Sequence, residues 1–384
     1  MAPELALKSL ERLKSGIVLD PMTGSGTVAR MAKDRALTAL GFDLDPLAVL
    51  ISKVGTTPVD DQVWSESTTR FMEAARALRS DSIHLSWIDD DAEAERYINF
   101  WFGEKQRDDL RKIAFLLANY EIIGLTADVA DAFRIGLSRI IVTKKSAASL
   151  AQDTSHSRPH RVMLKSEYDV FSGFEKSLRA VRKRIATIPK HGNVLIRQGD
   201  ARDLSVLSDA SVDAVLTSPP YLNAIDYMRG HRMSLVWLGH RYQDLSKTRS
   251  NSIGSERKPD IGFEGDHFVA MKAVMGDLAP LQRRHHSMIE RYVIDMHRMM
   301  GEVARVLKPK CTATFVMGNS CLKGVFIQNS EALAKAGELL GLGEAHQVER
   351  DLPSASRYLP TPAAGALSKR MRKEVVLTFT KPAT

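Results

Sequence analysis

Short runs of apolar residues that end in polar or turn residues recur along the chain. They lie at 16–20, 38–45, 193–200, 212–220 and 312–319. Buried parallel strands have such continuous apolar runs because helices cover both of their faces. Residues 374–380 (EVVLTFT) instead alternate, which predicts an edge or antiparallel strand. Because helical stretches such as 288–307 separate several of the runs, we predict an α/β fold with a doubly wound, Rossmann-like sheet.

The segment between the second and third predicted strands lacks this alternation. Its apolar positions recur at helical spacing. The two clearest stripes are Leu110, Ile113, Ala114 and Leu117, and then Phe171, Phe174, Leu178, Val181 and Ile185. We therefore predict a helical insertion at 57–190 and a main domain formed by 1–56 and 191–384. The polar, Ser-rich stretch around 145–160 predicts a mobile loop.

Composition narrows the class of protein. The chain has 384 residues, of which 44% are hydrophobic and 26% charged, as is usual for a globular protein. No apolar run approaches the roughly 20 residues of a membrane helix, and charged residues interrupt the N-terminal segment. We therefore expect a cytoplasmic protein without a membrane partner. Two cysteines, Cys311 and Cys321, are too few for a zinc or disulfide framework, so we expect no metal.

Positive charge is concentrated in two segments. The formal net charge is +8 and the isoelectric point is near 9.4. Basic residues far outnumber acidic ones between 134 and 165, and a second group of basic residues lies between 229 and 258. Such a distribution favours a polyanionic partner, in particular nucleic acid.

A glycine-rich turn, DPMTGSGT at 20–27, follows the first predicted strand. Without Cβ atoms, Gly24 and Gly26 allow the backbone to approach a nucleoside-bearing ligand closely. Asp43 closes the next strand, where a carboxylate can accept hydrogen bonds from ribose hydroxyls. The pattern Gly24-x-Gly26-x-x-Ala29 also fits the relaxed dinucleotide fingerprint. A nicotinamide-dependent oxidoreductase therefore stays open at this point.

A double-proline turn, Ser218-Pro219-Pro220-Tyr221, follows the apolar run VDAVLT. It stands at the carboxyl end of a predicted strand, where ligands bind in open α/β sheets. Its two prolines remove two backbone donors and stiffen the turn, which leaves the Ser218 and Pro219 carbonyls to accept. Tyr221 can stack on a ring. We interpret the turn as a grip for a planar aromatic amine; the alternative is an ordinary Pro-Pro-Tyr loop.

Together the two motifs resemble those of the DNA amino-methyltransferases, the N4-cytosine and N6-adenine enzymes. The glycine motif of that family is usually DPFxGSGT, and Met22 stands here where an aromatic residue is common. Its catalytic motif begins with Asn, Asp or Ser, and the serine form is more often that of N4-cytosine enzymes. The resemblance covers 1–55 and 190–384 and leaves the insertion unexplained.

The resemblance implies S-adenosylmethionine as cofactor and direct methyl transfer to a base flipped out of DNA. It implies a cofactor site made of Asp20, Pro21, Thr23, Gly24, Gly26, Thr27, Asp43 and Asp200. Within it, Asp43 would bind the ribose and Asp200 would lie near the adenine amino group, although a turn or helix-cap aspartate is an equal alternative for Asp200. The implied catalytic residues are Ser218, Pro219, Pro220 and Tyr221.

Contacts with nucleic acid are predicted from position in the sequence. Arg229 and Arg232 follow the double-proline turn and are expected at phosphates, with surface arginines as the alternative. The first basic segment adds Lys144 and Lys145. Target reading is assigned to the 57–190 insertion, with 222–265 as the competing segment. DNA is the expected partner; an RNA base or a protein glutamine amide are the alternative substrates.

Overall fold

The computed structural model describes residues 8–11, 13–144, 146–152, 159–222, 226–255, 262, 265–351 and 373–383. Its elements in chain order are β1 (Ile17–Asp20), α1 (Thr27–Asp34), β2 (Thr38–Asp43), α2 (Pro46–Thr56), α3 (Asp61–Ala77), α4 (Ser86–Asp89), α5 (Ala92–Trp101), α6 (Glu104–Ala118), α7 (Ala127–Ile141), β3 (Ala151–Gln152), β4 (His160–Arg161), α8 (Val170–Ile185), β5 (Val194–Gln198), β6 (Val212–Thr217), α9 (Met228–Leu235), α10 (Tyr242–Asn251), α11 (Asp266–Ala273), α12 (Arg283–Val306), β7 (Leu307–Met317), β8 (Ser320–Leu322), β9 (Val325–Ile327), α13 (Asn329–Leu339), β10 (His346–Asp351) and β11 (Lys373–Thr380). Two short 3₁₀ helices lie at Ser80–Ser82 and Tyr120–Ile123.

Two compact units share the chain. The sheet unit comprises Met1–Leu44, His191–Ala224 and Ser250–Thr384. The helical unit comprises Asp45–Lys190 and Ile225–Arg249. Within the described ranges, every helix is too short or too polar to cross a lipid bilayer.

A seven-stranded sheet with the order β10-β11-β7-β6-β1-β2-β5 forms the centre of the sheet unit. β1, β2, β5, β6 and β7 are mutually parallel. From β1 the strand order runs one way through β2 to β5 and the other way through β6 to β7, so the winding reverses between β1 and β6. Ligands bind beyond the carboxyl ends of the strands at such a reversal. The predicted doubly wound, Rossmann-like sheet is confirmed.

Both faces of β1 are covered, as its continuous apolar run predicts, whereas the edge strand β5 is largely exposed. Successive side chains of a strand point to opposite faces. Val18 packs on one side with a cluster that includes Val28 and Ala32 of α1. Leu19 packs on the other side with the larger cluster beneath α12, whose buried members include Tyr292.

The last two strands refine the prediction for 374–380. β11 is antiparallel to β7, as the alternation indicates. It is not the edge strand, because β10 pairs with its other side. The sequence of β10, HQVERD, gave no signal because most of its side chains are exposed and polar.

Aromatic side chains form the centre of the helical unit. Phe133 makes edge-to-face contacts with Trp64 and Phe71, whose ring centroids lie at 5.1 and 5.3 Å. The two stripes of apolar residues predicted from the sequence pack into this core, in which Leu110 and Phe174 are fully buried. Aspartates cap several helices; the Asp60 side chain, for example, accepts from two backbone N–H groups at the start of α3.

The boundaries of the helical unit differ from the expected 57–190. It begins at Asp45 and includes Ile225–Arg249, so α2 and α9 belong to it. The cause is packing, because Leu47 of α2 and Met233 of α9 are buried in the helical core. An apolar stripe shows that a helix has a buried face, but it does not show which core that face joins.

Residues 147–150 of the predicted mobile loop around 145–160 form no helix or strand, but they are buried; the mobility itself stays a prediction. Residues 145 and 153–158 lie outside the described residues. Ala147–Ala151 are buried, and backbone hydrogen bonds join Ala148 N to Ile140 O and Leu150 N to Trp101 O. The small side chains that looked loop-like in the sequence allow this segment to pack closely.

Candidate active site

The glycine-rich turn lies at the carboxyl end of β1, in the sheet unit. The Thr23 N–H donates to the Phe42 carbonyl at 2.8 Å, and the Gly26 N–H donates to the Thr23 carbonyl at 2.8 Å. Gly24 and Gly26 have φ values of 51° and 77°, which favour glycine over every other residue. Pro21 and Thr27 flank the turn, and α1 begins at Thr27. The turn therefore presents backbone rather than side chains at the switch point of the sheet.

Asp43 ends β2 beside this turn. Its Oδ2 atom accepts a hydrogen bond from the Gly24 N–H at 2.8 Å. The carboxylate predicted to bind ribose is thus in direct contact with the glycine turn. Gly41 of the same strand packs closely on the turn, because a Cβ there would lie 2.5 Å from Ile196 Cδ1 and 3.0 Å from Thr23 Oγ1.

Asp20 is buried, with 4% of its surface exposed. Its Oδ1 atom accepts from the Thr217 hydroxyl at 2.7 Å and from the Met22 N–H at 3.2 Å. Burial raises the pKa of Asp20 to about 7, the two hydrogen bonds oppose this rise, and the nearby charge of Asp43 adds to it. A cationic ligand would favour the ionised forms of both carboxylates.

Hydrogen bonds to three other elements fix the double-proline turn. The Ser218 hydroxyl donates to the Val316 carbonyl of β7 at 2.8 Å. The phenol of Tyr292 donates to the Pro220 carbonyl at 3.3 Å, and the Ser320 hydroxyl donates to the Leu222 carbonyl at 2.7 Å. Pro219 and Pro220 lack an N–H and cannot donate backbone hydrogen bonds, so these contacts hold the turn in place instead.

A buried polar group supports the Ser320 contact. The side-chain amide of Asn329, fully buried at the start of α13, donates to Ser320 Oγ at 2.7 Å and to the Gly318 carbonyl at 3.0 Å. The hydroxyl of Ser320 therefore points its own proton at Leu222. Tyr221 lies between the two anchored carbonyls and is partly buried against the core that contains Tyr292.

Asp200 follows β5, and its carboxylate is hydrogen-bonded to Arg202. Both Asp200 oxygens accept from the Arg202 guanidinium, and Oδ1 also accepts from the Arg202 backbone N–H at 2.9 Å. The same guanidinium donates to Asp295 of α12 at 2.6 Å and to the Asn251 carbonyl at 2.7 Å. This geometry agrees with the alternative given for Asp200, an aspartate that stabilises a turn. The predicted contact with a cofactor adenine stays a prediction.

The three predicted nucleic-acid contacts that the structure describes, Arg229, Arg232 and Lys144, have different environments within the helical unit. The Arg229 and Arg249 side chains are both about 40% exposed and share the Asp226 carboxylate, which leaves their group with excess positive charge. Lys144 is exposed, and Lys145 lies outside the described residues.

Arg232 is engaged inside the helical unit. Its guanidinium lies over the rings of Tyr97 and Tyr242, at 5.0 and 4.9 Å from their centroids. Arg232 is partly buried, and this cation–π stacking is the alternative of a packed arginine; its predicted phosphate contact stays a prediction.

Several residues that position the site gave little signal in the sequence. Thr217 directly precedes the double-proline turn, so its place in TSPPY was a usable sign. Tyr292, Ser320 and Asn329 lie at least 70 residues from the turn and carry no recognisable pattern.

The fold and the site together define a class: a Rossmann-like enzyme with a glycine turn and a double-proline turn at adjacent strand ends. No protein-family model matches the chain. It is similar to the Type II methyltransferase M.MvaI of Kocuria varians, at 22% identity over 98% of this chain and 88% of the relative. It is also similar to the Type II methyltransferase M.BsoBI of Geobacillus stearothermophilus, at 22% identity over 85% of this chain and 73% of the relative. These likenesses confirm the resemblance to the DNA methyltransferase family.

Two solved structures are also similar to the chain. One is an S-adenosylmethionine-dependent methyltransferase from Methanosarcina mazei, with a TM-score of 0.35 and 10% identity, covering 100% of this chain and 99% of that one. The other is the rRNA methyltransferase aviRa from Streptomyces viridochromogenes, with a TM-score of 0.32 and 11% identity, covering 99% and 85%. Likenesses this weak carry no argument about the chain.

Proposed function

We propose that this protein methylates an exocyclic base amine in DNA, cytosine N4 in preference to adenine N6, by direct in-line transfer to a flipped base. The observation that carries the proposal is the hydrogen bond from Thr217 to Asp20 at 2.7 Å. It joins Thr217, the residue before the double-proline turn, to Asp20, the first residue of the glycine-rich turn. An amine held by the first turn is thereby brought close to a cofactor held by the second.

S-adenosylmethionine is the cofactor, and the residues around the glycine turn fit it. This cofactor supplies an electrophilic methyl group on a sulfonium. The carboxylates of Asp20 and Asp43 suit a ligand that carries positive charge at one end and ribose hydroxyls at the other. Gly24 and Gly26 let the backbone approach that ligand.

The double-proline turn has the task of orienting the acceptor amine. Carbonyl oxygens of Ser218 and Pro219 would accept the amino protons and direct the nitrogen lone pair at the donor carbon. Positioning two reacting atoms in line supplies much of the rate in such transfers. The anchors from Val316, Tyr292 and Ser320 keep the turn rigid for this purpose. No covalent intermediate is required, so neither cysteine has a catalytic task.

The target base must be flipped out of the DNA duplex, because its amine is stacked and inaccessible within the duplex. Tyr221 would stack on the extruded base and contribute roughly 1–3 kcal/mol towards the cost of extrusion. Ser218 supports cytosine N4 as the first choice, because the serine form of the motif is typical of the N4-cytosine enzymes in the family that the chain resembles.

The helical unit, Asp45–Lys190 with Ile225–Arg249, is proposed to contact the DNA and to read its target. Arg229 and Arg249 support this role, since their shared acidic partner neutralises only one of two half-exposed guanidinium groups. Lys144 and Lys145 would add phosphate contacts.

Radiolabelled methyl transfer tests the proposal. In three separate reactions, the purified protein and labelled S-adenosylmethionine are incubated with unmethylated DNA, with RNA or with protein. We expect label on DNA alone, and loss of that label with Tyr221→Ala while cofactor binding persists. Label on RNA or on a protein amide instead of DNA would refute the DNA assignment, and transfer that survives Tyr221→Ala would refute the stacking role.

A further inference from the structure

The first turn of α12 is unusually basic. Gln282 precedes it, and the first four helical residues are Arg283, Arg284, His285 and His286. The turn contains no acidic residue, and the side chain of Gln282 does not cap it; the N–H groups of His285 and His286 donate to the Gln282 carbonyl. The N-terminal end of a helix carries partial positive charge, so cations there are unfavourable and an anion is favoured.

A further cation comes from a different part of the sheet unit. Lys323 is exposed at the tip of the hairpin formed by β8 and β9. Arg284, Lys323 and His286 all lie close enough to act on the charge of His285. Burial is the main cause that lowers the pKa of His285, these three groups lower it further, and no carboxylate is among the described groups that affect it. We call Arg284, His285, His286 and Lys323 the basic cluster.

A buried side chain within the basic cluster is incompletely satisfied. His285 has only 8% of its surface exposed. Its Nδ1 atom is buried and has no hydrogen-bond partner among the described residues. Buried polar atoms are normally paired, so an exception points to a missing ligand or an ordered water. This observation is independent of the helix dipole.

The hairpin that carries Lys323 also contacts the double-proline turn. Ser320, the first residue of β8, donates to the Leu222 carbonyl, one residue after Tyr221. On the exposed face of the same hairpin, Phe326 of β9 is 52% exposed. The basic cluster therefore lies at the far end of a short hairpin whose base is fixed to the candidate catalytic turn.

We propose that the basic cluster binds a backbone phosphate of the DNA strand that presents the target base. The proposal rests on the proposed function, since it supplies a phosphate contact from the sheet unit in addition to those of the helical unit. Exposed Arg284 and Lys323 would pair with the phosphate oxygens, and the uncapped N–H groups at the start of α12 would donate to them. This contact would set the position of the strand relative to Tyr221.

Salt dependence of binding tests the proposal. The affinity of the full-length protein for a labelled DNA duplex of mixed sequence is measured by fluorescence anisotropy over a range of salt concentrations. The variant combines Arg284→Gln with Lys323→Gln. Each lost phosphate contact flattens the plot of log affinity against log salt by about 1, so we expect a slope flatter by about 1 to 2.

A matched control removes the same charge elsewhere in the sheet unit. It combines Arg298→Gln on α12 with Lys310→Gln on β7, both exposed and remote from the first turn of α12. We expect its slope to equal that of the wild type. Equal slopes for the wild type, the variant and the control would overturn the proposal, and so would equal flattening in the variant and the control. Flattening seen with RNA but not with duplex DNA would also overturn it.

The outcome is distinguishable from failure of the proposed function. Binding of S-adenosylmethionine, measured by calorimetry, should be unchanged in variant and control, which also shows that both are folded. If the wild type bound no DNA while still binding the cofactor, the DNA assignment itself would fail and this phosphate site with it.

Discussion

The hydroxyl of Thr217 donates a hydrogen bond of 2.7 Å to the buried carboxylate of Asp20. The two residues are 197 positions apart in sequence and end neighbouring parallel strands, β6 and β1. Thr217 directly precedes the double-proline turn and Asp20 begins the glycine-rich turn, the two motifs on which the proposed chemistry depends. The bond also stabilises the ionised form of a carboxyl group that burial disfavours.

Cofactor affinity should depend on the protonation of Asp20. Its pKa is raised to about 7, so the carboxyl group is neutral below that pH and attracts a cationic ligand less. We expect the affinity for S-adenosylmethionine, measured by calorimetry, to fall by up to roughly tenfold per pH unit below about 7. S-adenosylhomocysteine lacks the sulfonium charge and should show a weaker dependence. The same pH profile in Asp20→Asn would contradict this account.

The same group should cost stability in the absence of cofactor. A carboxyl group whose pKa is raised on folding stabilises the protein below its unfolded-state pKa, and this contribution is lost as the pH rises through about 7. Above that pH, Asp20→Asn should therefore increase the free energy of unfolding by an amount on the order of 1–4 kcal/mol, measured by denaturant titration. A destabilised variant would show that the buried charge is compensated in some other way.

Replacement of Thr217 should move the titration of Asp20. Thr217→Val keeps the shape of the side chain and removes the donor that lowers the Asp20 pKa. We expect the pH midpoint of cofactor binding to shift upwards, while affinity well above the midpoint changes little. Thr217→Ser retains a hydroxyl and serves as the matched control. An unchanged midpoint in Thr217→Val would show that the hydrogen bond does not affect cofactor binding.

The sequence predicted the parallel strands and both motifs because each has a local pattern. Apolar runs marked β1, β2, β6 and β7, which lie inside the sheet, and also marked β5 at its edge, where three of the five side chains are exposed. β10 has no such pattern because its side chains are exposed. The anchors of the double-proline turn stayed invisible, because a hydrogen bond between residues 72 or 98 positions apart leaves no periodicity.

Nearness in sequence did not give Arg229 and Arg232 the same surroundings. Arg229 and Arg232 are one helical turn apart on α9, yet Arg229 is half exposed while Arg232 stacks on Tyr97 and Tyr242. Tyr97 belongs to α5, far away in the chain. Only the packing of α5 and α10 against α9 distinguishes the two arginines.

Loss of the Ser320 hydroxyl should affect catalysis more than cofactor binding. Ser320→Ala leaves the Leu222 carbonyl and the buried Asn329 amide without this partner, at a cost of about 1–3 kcal/mol in stability. Because the double-proline turn loses an anchor, kcat for methyl transfer should fall while the Kd for S-adenosylmethionine is unchanged. Ser320→Thr, which restores the hydroxyl, should recover part of the rate. Equal losses in kcat and cofactor affinity would indicate a general structural defect.

The identity of the methylated nucleoside tests the central claim, that the double-proline turn beside the glycine turn grips a base amine. DNA methylated by the purified protein is digested to nucleosides and analysed by mass spectrometry. The account predicts N4-methylcytosine, or N6-methyladenine if the choice of base is different. Methylation at a ring carbon, such as 5-methylcytosine, would contradict it, because that product does not require an amine acceptor.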